Sequence, residues 1–315
     1  MESVVRMMPI LEHHAHHLSA LGKIGGKIGD LMTEQHVGTA PGTPDINALL
    51  RARYGAAAPA LTEPALRDSA TLAGLLRHHT VRSFTDAPVS DEAITAMVAA
   101  AQSAASSSNL QLWSVVEVRD AATRRALVDE VDTSTFVADA PVILLFVADW
   151  ARASAIAAAE GESDTAADYL ESTLVAFVDA ALAAQNAVVA AESLGLGTCY
   201  LGSVRNNPER AAELIGLPAR AMVAFGLAVG YPDPADTAGI KPRLAPGAVH
   251  SRERYSPITD ADIAAYDSEI AAYHASQGRP TGWSRAVIRR VKDAAGLNGR
   301  DRMRAWLTGR GLPSN

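Results

Sequence analysis

The stretch from Asp168 to Leu194 constrains this chain more than any other segment. It holds no glycine or proline, is rich in alanine, and sets Leu174, Val178, Leu182 and Val189 along one side at helical spacing. It therefore reads as one long α-helix, with Gly195 placed to end it. Apolar residues also lie on its other faces, which predicts burial nearly all round. Glu171, Asp179, Gln185, Asn186 and Glu192 interrupt it, so no apolar run is expected to span a bilayer. A fold containing this segment has to layer the remaining chain around it. With 315 residues, 48% of them hydrophobic, there is enough apolar surface for one sizeable core or two smaller ones.

Asp45 to Tyr54 reads as a short helix, followed by an Ala/Pro-rich linker through Pro64. Leu72, Leu75 and Leu76 predict a helix running into His78. Ser90 is placed to cap a helix that has Asp91 and Glu92 in its first turn and Ile94, Met97 and Val98 behind them. Ser106 to Asn109 reads as a loop. Strands are predicted at Val115 to Val118, Val142 to Val147, Thr198 to Leu201 and Met222 to Val229, with a helix at Pro208 to Ile215. Three helices follow: Asp260 to Ala275, Trp283 to Lys292 and Asp301 to Arg310. Helices outnumber strands without alternating strictly with them, so the class is α+β. The expected domains are an N-terminal extension at 1–31, a short helix and linker at 32–67, a core at 68–258 and a C-terminal helical region at 259–315. The extension stands apart because it holds four histidines and two of the chain's four lysines.

A net charge of -7 argues against a nucleic-acid partner, which needs a concentrated basic face. The arginines from Arg285 to Arg304 read as a solvated helix face. Cys199 is the only cysteine, so neither an intrachain disulfide nor a thiolate metal cluster can form. His13 and His17 sit one helical turn apart, but no acidic or cysteine ligand accompanies them, and no metal site is expected. With no signal-like apolar stretch at the N-terminus, a cytoplasmic, membrane-free protein is the expectation. The common nucleotide and hydrolase signatures are absent, because Tyr200 occupies the third glycine position of the Gly195-Gly197 run and there is no GxxxxGK[ST], GxSxG, HExxH or CxxC.

What remains is a dispersed set of cations. Arg82 closes one run, and Lys241-Pro242-Arg243 follows a strand and a turn much later in the chain. Pro242 favours an extended Lys241, and in an extended segment residues two apart face the same way. Two convergent cations suit a phosphomonoester. The same tripeptide also fits an ordinary solvated basic turn, although this chain otherwise almost never uses lysine.

In order, the chain carries His78-His79-Thr80-Val81-Arg82-Ser83-Phe84, Ser106-Ser107-Ser108-Asn109-Leu110-Gln111, Ala184-Gln185-Asn186, Glu192-Ser193-Leu194-Gly195-Leu196-Gly197, Arg205-Asn206-Asn207, Gly230-Tyr231-Pro232 and Lys241-Pro242-Arg243-Leu244. This ordered set resembles the nitroreductase family, in particular its oxygen-insensitive NADPH-nitroreductase and NADPH-flavin oxidoreductase branch. The resemblance implies a three-layer α-β-α fold with a mixed, mainly antiparallel sheet around the long buried helix. It also implies an FMN-binding core and a homodimer whose two sites lie at the subunit interface. Electrons would pass in pairs from NADPH or NADH to small acceptors such as nitroaromatics, quinones or flavins, by a ping-pong mechanism.

By matching positions, His78, His79, Thr80, Val81 and Arg82 would hold the phosphate and ribityl end of FMN, with Lys241, Pro242 and Arg243 completing the phosphate pocket. Ser106 and Ser134 would touch the flavin, and the backbone of Tyr200, Leu201, Gly202 and Ser203 would line its ring, glycine at 202 allowing close approach. Ser108, Asn109 and Arg279 would border the substrate space. No side-chain nucleophile is implied, since the flavin carries the chemistry. This chain departs from the family pattern at His79, where an arginine is usual, and at Asp132-Thr133-Ser134, where Gly-Gly-Gln is usual. Near Arg279 it departs enough to leave the choice between NADPH and NADH open. Rival readings are another FMN enzyme on the same fold, a dehalogenase or enone reductase, and a flavin-free ligand-binding or regulatory protein.

Overall fold

The computed structural model describes residues 45–278 and 281–315, so the 1–31 extension, His13, His17 and Arg279 lie outside the described residues. The helices are α1 (Ile46–Tyr54), α2 (Pro64–Arg67), α3 (Ala70–Arg77), α4 (Asp91–Gln102), α5 (Ala121–Asp129), α6 (Ala151–Glu160), α7 (Leu170–Ser193), α8 (Pro208–Leu214), α9 (Pro246–Val249), α10 (Asp260–Ser276), α11 (Trp283–Val291) and α12 (Met303–Gly309). The strands are β1 (Trp113–Val118), β2 (Val142–Asp149), β3 (Gly197–Leu201) and β4 (Ala221–Gly230).

They form one sheet in the order β1-β2-β4-β3, antiparallel throughout. The parallel element is a single bridge between Thr80 and Thr198. The β2 sequence Val-Ile-Leu-Leu-Phe-Val-Ala is buried along its length because both sheet faces are covered. On one face Val142, Leu144 and Phe146 meet α4 and α7, and on the other Ile143 and Leu145 pack with Leu127 of α5 and Ala211 of α8. The result is three layers, α-β-α.

Helix starts follow the expected caps. The Ser90 hydroxyl accepts from Ala93 N, and Thr259 forms a capping box with Asp262. Helices α5 and α6 are additions to the sequence reading. Their apolar residues are mostly alanines, whose small side chains give a weak amphipathic signal.

Two expectations about α7 need correction. Its alanine face, including Ala176, Ala180, Ala183, Ala184, Ala187 and Ala191, is buried against the sheet and α4. Its bulky face is open within the chain: Leu174 is 52%, Val178 55% and Leu182 44% exposed. Small side chains let the helix backbone approach the sheet closely, while these three large ones lie on the opposite face. Burial nearly all round is therefore not achieved by one chain. In addition, α7 does have the length (24 residues) and mean hydropathy (1.7) of a membrane-crossing helix. Its inner face is nevertheless committed to a protein core and holds a carboxylate there, which accounts for the composition without a bilayer.

That carboxylate is Asp179, 1% exposed. It accepts from Ser106 Oγ (2.7 Å), Ser107 N (3.1 Å) and Leu112 N (3.2 Å), tying the 106–112 loop to the middle of α7. Satisfied by three donors, a buried carboxylate is tolerable, and removing it strands all three. Asp179→Ala should lower unfolding free energy by about 2–4 kcal/mol, with Asp179→Asn losing less, as measured by urea denaturation.

Candidate functional site

Helix α3 ends at Arg77, and the following residues leave it in extended conformation to lie beside β3. Val81 N donates to Thr198 O at 2.9 Å, and Val81 itself is buried. Gly197 makes this approach feasible, since a Cβ there would stand 2.7 Å from Val81 Cγ2. With Val81 turned inward, Thr80 and Arg82 join His78 and His79 in facing a cavity of about 600 Å³.

Lys241 and Arg243 line the same cavity. Their backbone is pinned from two sides: Pro242 O accepts from the Tyr266 hydroxyl at 3.0 Å, and Arg243 N donates to Arg53 O at 2.9 Å. Pro242 is buried while its two neighbours are exposed, as an extended tripeptide requires. Among the described residues, Arg82, Lys241 and Arg243 form no ion pair. Burial first, then the Arg82 and Arg243 guanidiniums, hold the Lys241 ammonium below its ordinary range. Asp236 lines the same cavity but pairs with none of them; cations gathered without an ion-pair partner repel one another, and a dianion placed among them relieves that repulsion.

A second wall comes from α7. Glu192 Oε1 lies 2.5 Å from His78 Nδ1, so the helix orients the imidazole at the cavity's edge. Four residues beyond Thr198, or ~13 Å along the strand at ~3.3 Å each, stands Gly202. Its carbonyl accepts from Arg300 Nη1 at 3.3 Å. Arg205 is close by, its guanidinium pKa lowered by burial and then by Arg300 and Arg290. A Cβ at 202 would meet only these two arginines, at 3.6 Å, so within the chain glycine is required at 197 rather than at 202. Tyr200 packs edge-on against Phe225, and burial pushes its phenol up to about 12.

The predicted residues thus divide. His78, His79, Thr80, Arg82, Lys241 and Arg243 come together around one cavity, while Val81 and Pro242 are buried and do not line it; Tyr200 and Leu201 end the strand to which the 78–82 segment is bonded, and Gly202 and Ser203 begin the turn after it. Ser106 is engaged within the chain, donating to Asp179 of α7 and accepting from Gln111 N of its own loop at 2.7 Å. Ser108 and Asn109 are exposed, with φ of 48° and 55°, on the tip of that loop. Ser106 and Asn109 border a different cavity of about 970 Å³, beside Trp113, Arg152 and Ile156. Ser134 is exposed ahead of the turn Thr135–Val137 and lines neither cavity. Cys199 is buried, and burial raises its thiol pKa, which fits a core side chain rather than a nucleophile.

Sequence reasoning missed Arg53, Asp179 and Glu192. Arg53 was detectable, because it continues the spacing of Ile46, Leu49 and Leu50 and so occupies a core position of α1.

The model of the nitroreductase family matches residues 75–231, and that of the nitroreductase family C-terminal domain matches 241–315. An oxygen-insensitive NADPH nitroreductase of Salmonella typhimurium is 39% identical over 213 residues, covering 68% of this chain and 86% of that protein. The NADPH-flavin oxidoreductase of Vibrio harveyi is 37% identical over 207 residues, covering 66% and 83%. Among solved structures, NfrA2 of B. megaterium matches with a TM-score of 0.73 at 34% identity, over 78% of this chain and 98% of that one. The NADPH:FMN oxidoreductase of Vibrio harveyi in complex with NAD+ matches at 0.70 and 33%, over 78% and 99%.

The cation cluster has a consequence for stability. Lys241 titrates lower in the fold than in the unfolded chain, so its protonated form is penalised at neutral pH and the penalty fades as pH rises through the lowered value. Lys241→Met should therefore raise the melting temperature of ligand-free protein. The gain should be largest at neutral pH and shrink toward pH 10, by thermal unfolding in phosphate-free buffer.

Proposed function

The chain belongs to the nitroreductase family, and from that premise we propose how its residues serve an NAD(P)H-dependent FMN oxidoreductase acting on small acceptors. The observation that carries the reading is the convergence of Arg82, Lys241 and Arg243, with Thr80, on one cavity. The donor set is right for a phosphomonoester: two guanidiniums that can bond in pairs, one ammonium and a hydroxyl. FMN bound there would supply the redox chemistry, taking a hydride from the nicotinamide and giving two electrons to the acceptor.

The chain's own part is position and charge. Arg82, Lys241 and Arg243 would hold the phosphate, and His78, steadied by Glu192, would border the ribityl path with Thr80. The backbone from Tyr200 to Ser203 would line the ring. Arg205 and Arg300, beside Gly202, offset negative charge gained on reduction. Nicotinamide and acceptor use one exposed face in turn, which predicts parallel double-reciprocal plots.

We further propose a homodimer. Two features support it: the apolar stripe of Leu174, Val178 and Leu182, and the separation of the Ser106–Asn109 loop from the phosphate cavity. Pairing two chains about a two-fold axis covers the stripe with its own copy and can bring the loop of one protomer to the cations of its partner. The sole thiol, Cys199, is buried, in keeping with a cytoplasmic setting.

The central test is a visible spectrum of the purified protein, taken before and after anaerobic NADPH or NADH. A flavin spectrum that bleaches with either donor is expected, and the faster donor gives the preference. Colourless protein that cannot be reconstituted with FMN overturns the reading. For the dimer, Leu174→Glu with Val178→Glu should yield a folded monomer by light scattering, with FMN affinity lowered. An unchanged dimer removes α7 from the interface.

A further inference from the structure

The strongest feature outside the family-matched segments is the placement of α1. The family match begins at residue 75, so α1 (Ile46–Tyr54) lies ahead of the matched core. It is nevertheless packed onto that core. Ile46, Leu49 and Leu50 bury against Ala73 of α3, with Leu72, Leu76 and Ile240 alongside. Arg53 lies on this inward face, 6% exposed, and its side chain lines the cation cavity.

Burying a guanidinium is costly unless its donors are satisfied. Here three carbonyls do so: Arg53 Nη1 donates to Lys241 O at 2.9 Å, and Nη2 to Leu76 O at 3.0 Å and His78 O at 2.7 Å. These carbonyls belong to the two segments that carry the cavity's cations. Leu76 O and His78 O also lie at the C-terminal end of α3, the negative end of a helix, which by itself disfavours an anion nearby. Meanwhile the Arg53 carbonyl accepts from Arg243 N. One residue therefore grips the Lys241–Arg243 segment through both side chain and backbone, and ties it to the start of the His78–Arg82 segment. Among the described residues no carboxylate pairs with Arg53, so its charge adds to the field in the cavity.

We infer that Arg53 is a positioning residue for the cofactor phosphate: it sets the register of the two phosphate-binding segments and cancels the carbonyl charge facing them. This rests on the FMN reading above. It makes α1 a functional addition to the core rather than a leader to it.

The test compares FMN with riboflavin, which has the same ring and ribityl chain but no phosphate. Dissociation constants are measured by flavin fluorescence quenching on the full chain for wild type, Arg53→Met, Arg53→Lys and Leu49→Ala. Arg53→Met should weaken FMN binding on the order of 10- to 100-fold and leave riboflavin within about threefold. Arg53→Lys, which keeps the charge but not the three-way fork, should fall between. Leu49→Ala loosens α1 packing without touching the guanidinium, and should lower the melting temperature while preserving the FMN-to-riboflavin ratio. A folded Arg53→Met that weakens both ligands equally, or neither, overturns the inference. Should Arg53→Met fail to fold, an Arg53→Lys ratio equal to wild type overturns it. Wild type that binds FMN no better than riboflavin instead sinks the phosphate reading itself.

Discussion

The close approach of the alanine face of α7 to the sheet organises the rest of the molecule. Because the buried face of the helix is mostly alanine (Ala176, Ala180, Ala183, Ala184, Ala187 and Ala191), it presents little side-chain bulk to the sheet, and Asp179 on that face is carried into the interior. Asp179 gathers the 106–112 loop, and Glu192 steadies His78 near the helix's other end. Leu174, Val178 and Leu182 of the same helix face outward. One element thus supplies the inner layer of the core, anchors a loop on one side and an imidazole on the other, and carries the apolar stripe available to a second copy.

The cation cavity follows a different logic. Packing energy does not favour Arg82, Lys241 and Arg243 in one place, and their mutual repulsion opposes it. They are held there by backbone constraints that do not depend on their charge: the Val81–Thr198 hydrogen bond, the close contact at Gly197, buried Pro242, and the Arg53 fork. A site prepared in this way gives up some stability without ligand and recovers it on binding an anion. This is the pattern expected where charge is arranged in advance for a phosphate.

Much of the fold was readable from residue patterns. Glycine-free, proline-free alanine runs mark α7, an unbroken apolar run after Pro141 marks β2, and Ser90 announces α4 with a side-chain cap. The pairing of Lys241 with Arg243 could be read because an extended tripeptide around proline has little conformational choice. Helices α5 and α6 were invisible, since alanine contributes to burial without marking a face. Ser106 was read as a flavin contact through the family resemblance alone, and what no local pattern announced is that its hydroxyl donates to Asp179, a carboxylate far along the chain.

The sequence by itself determined what is local: where most helices start and stop, where the four strands lie, that Lys241 and Arg243 face one way, and, through an ordered set of motifs, membership of the nitroreductase family. Tertiary structure alone decided which distant residues meet. Arg53 crossing to His78 and Lys241, Asp179 holding the 106–112 loop, and the outward turn of Leu174, Val178 and Leu182 all depend on packing partners that local propensity does not encode. Propensity acts over a few residues, while the direction a buried polar group faces is set by whichever distant backbone satisfies its hydrogen bonds.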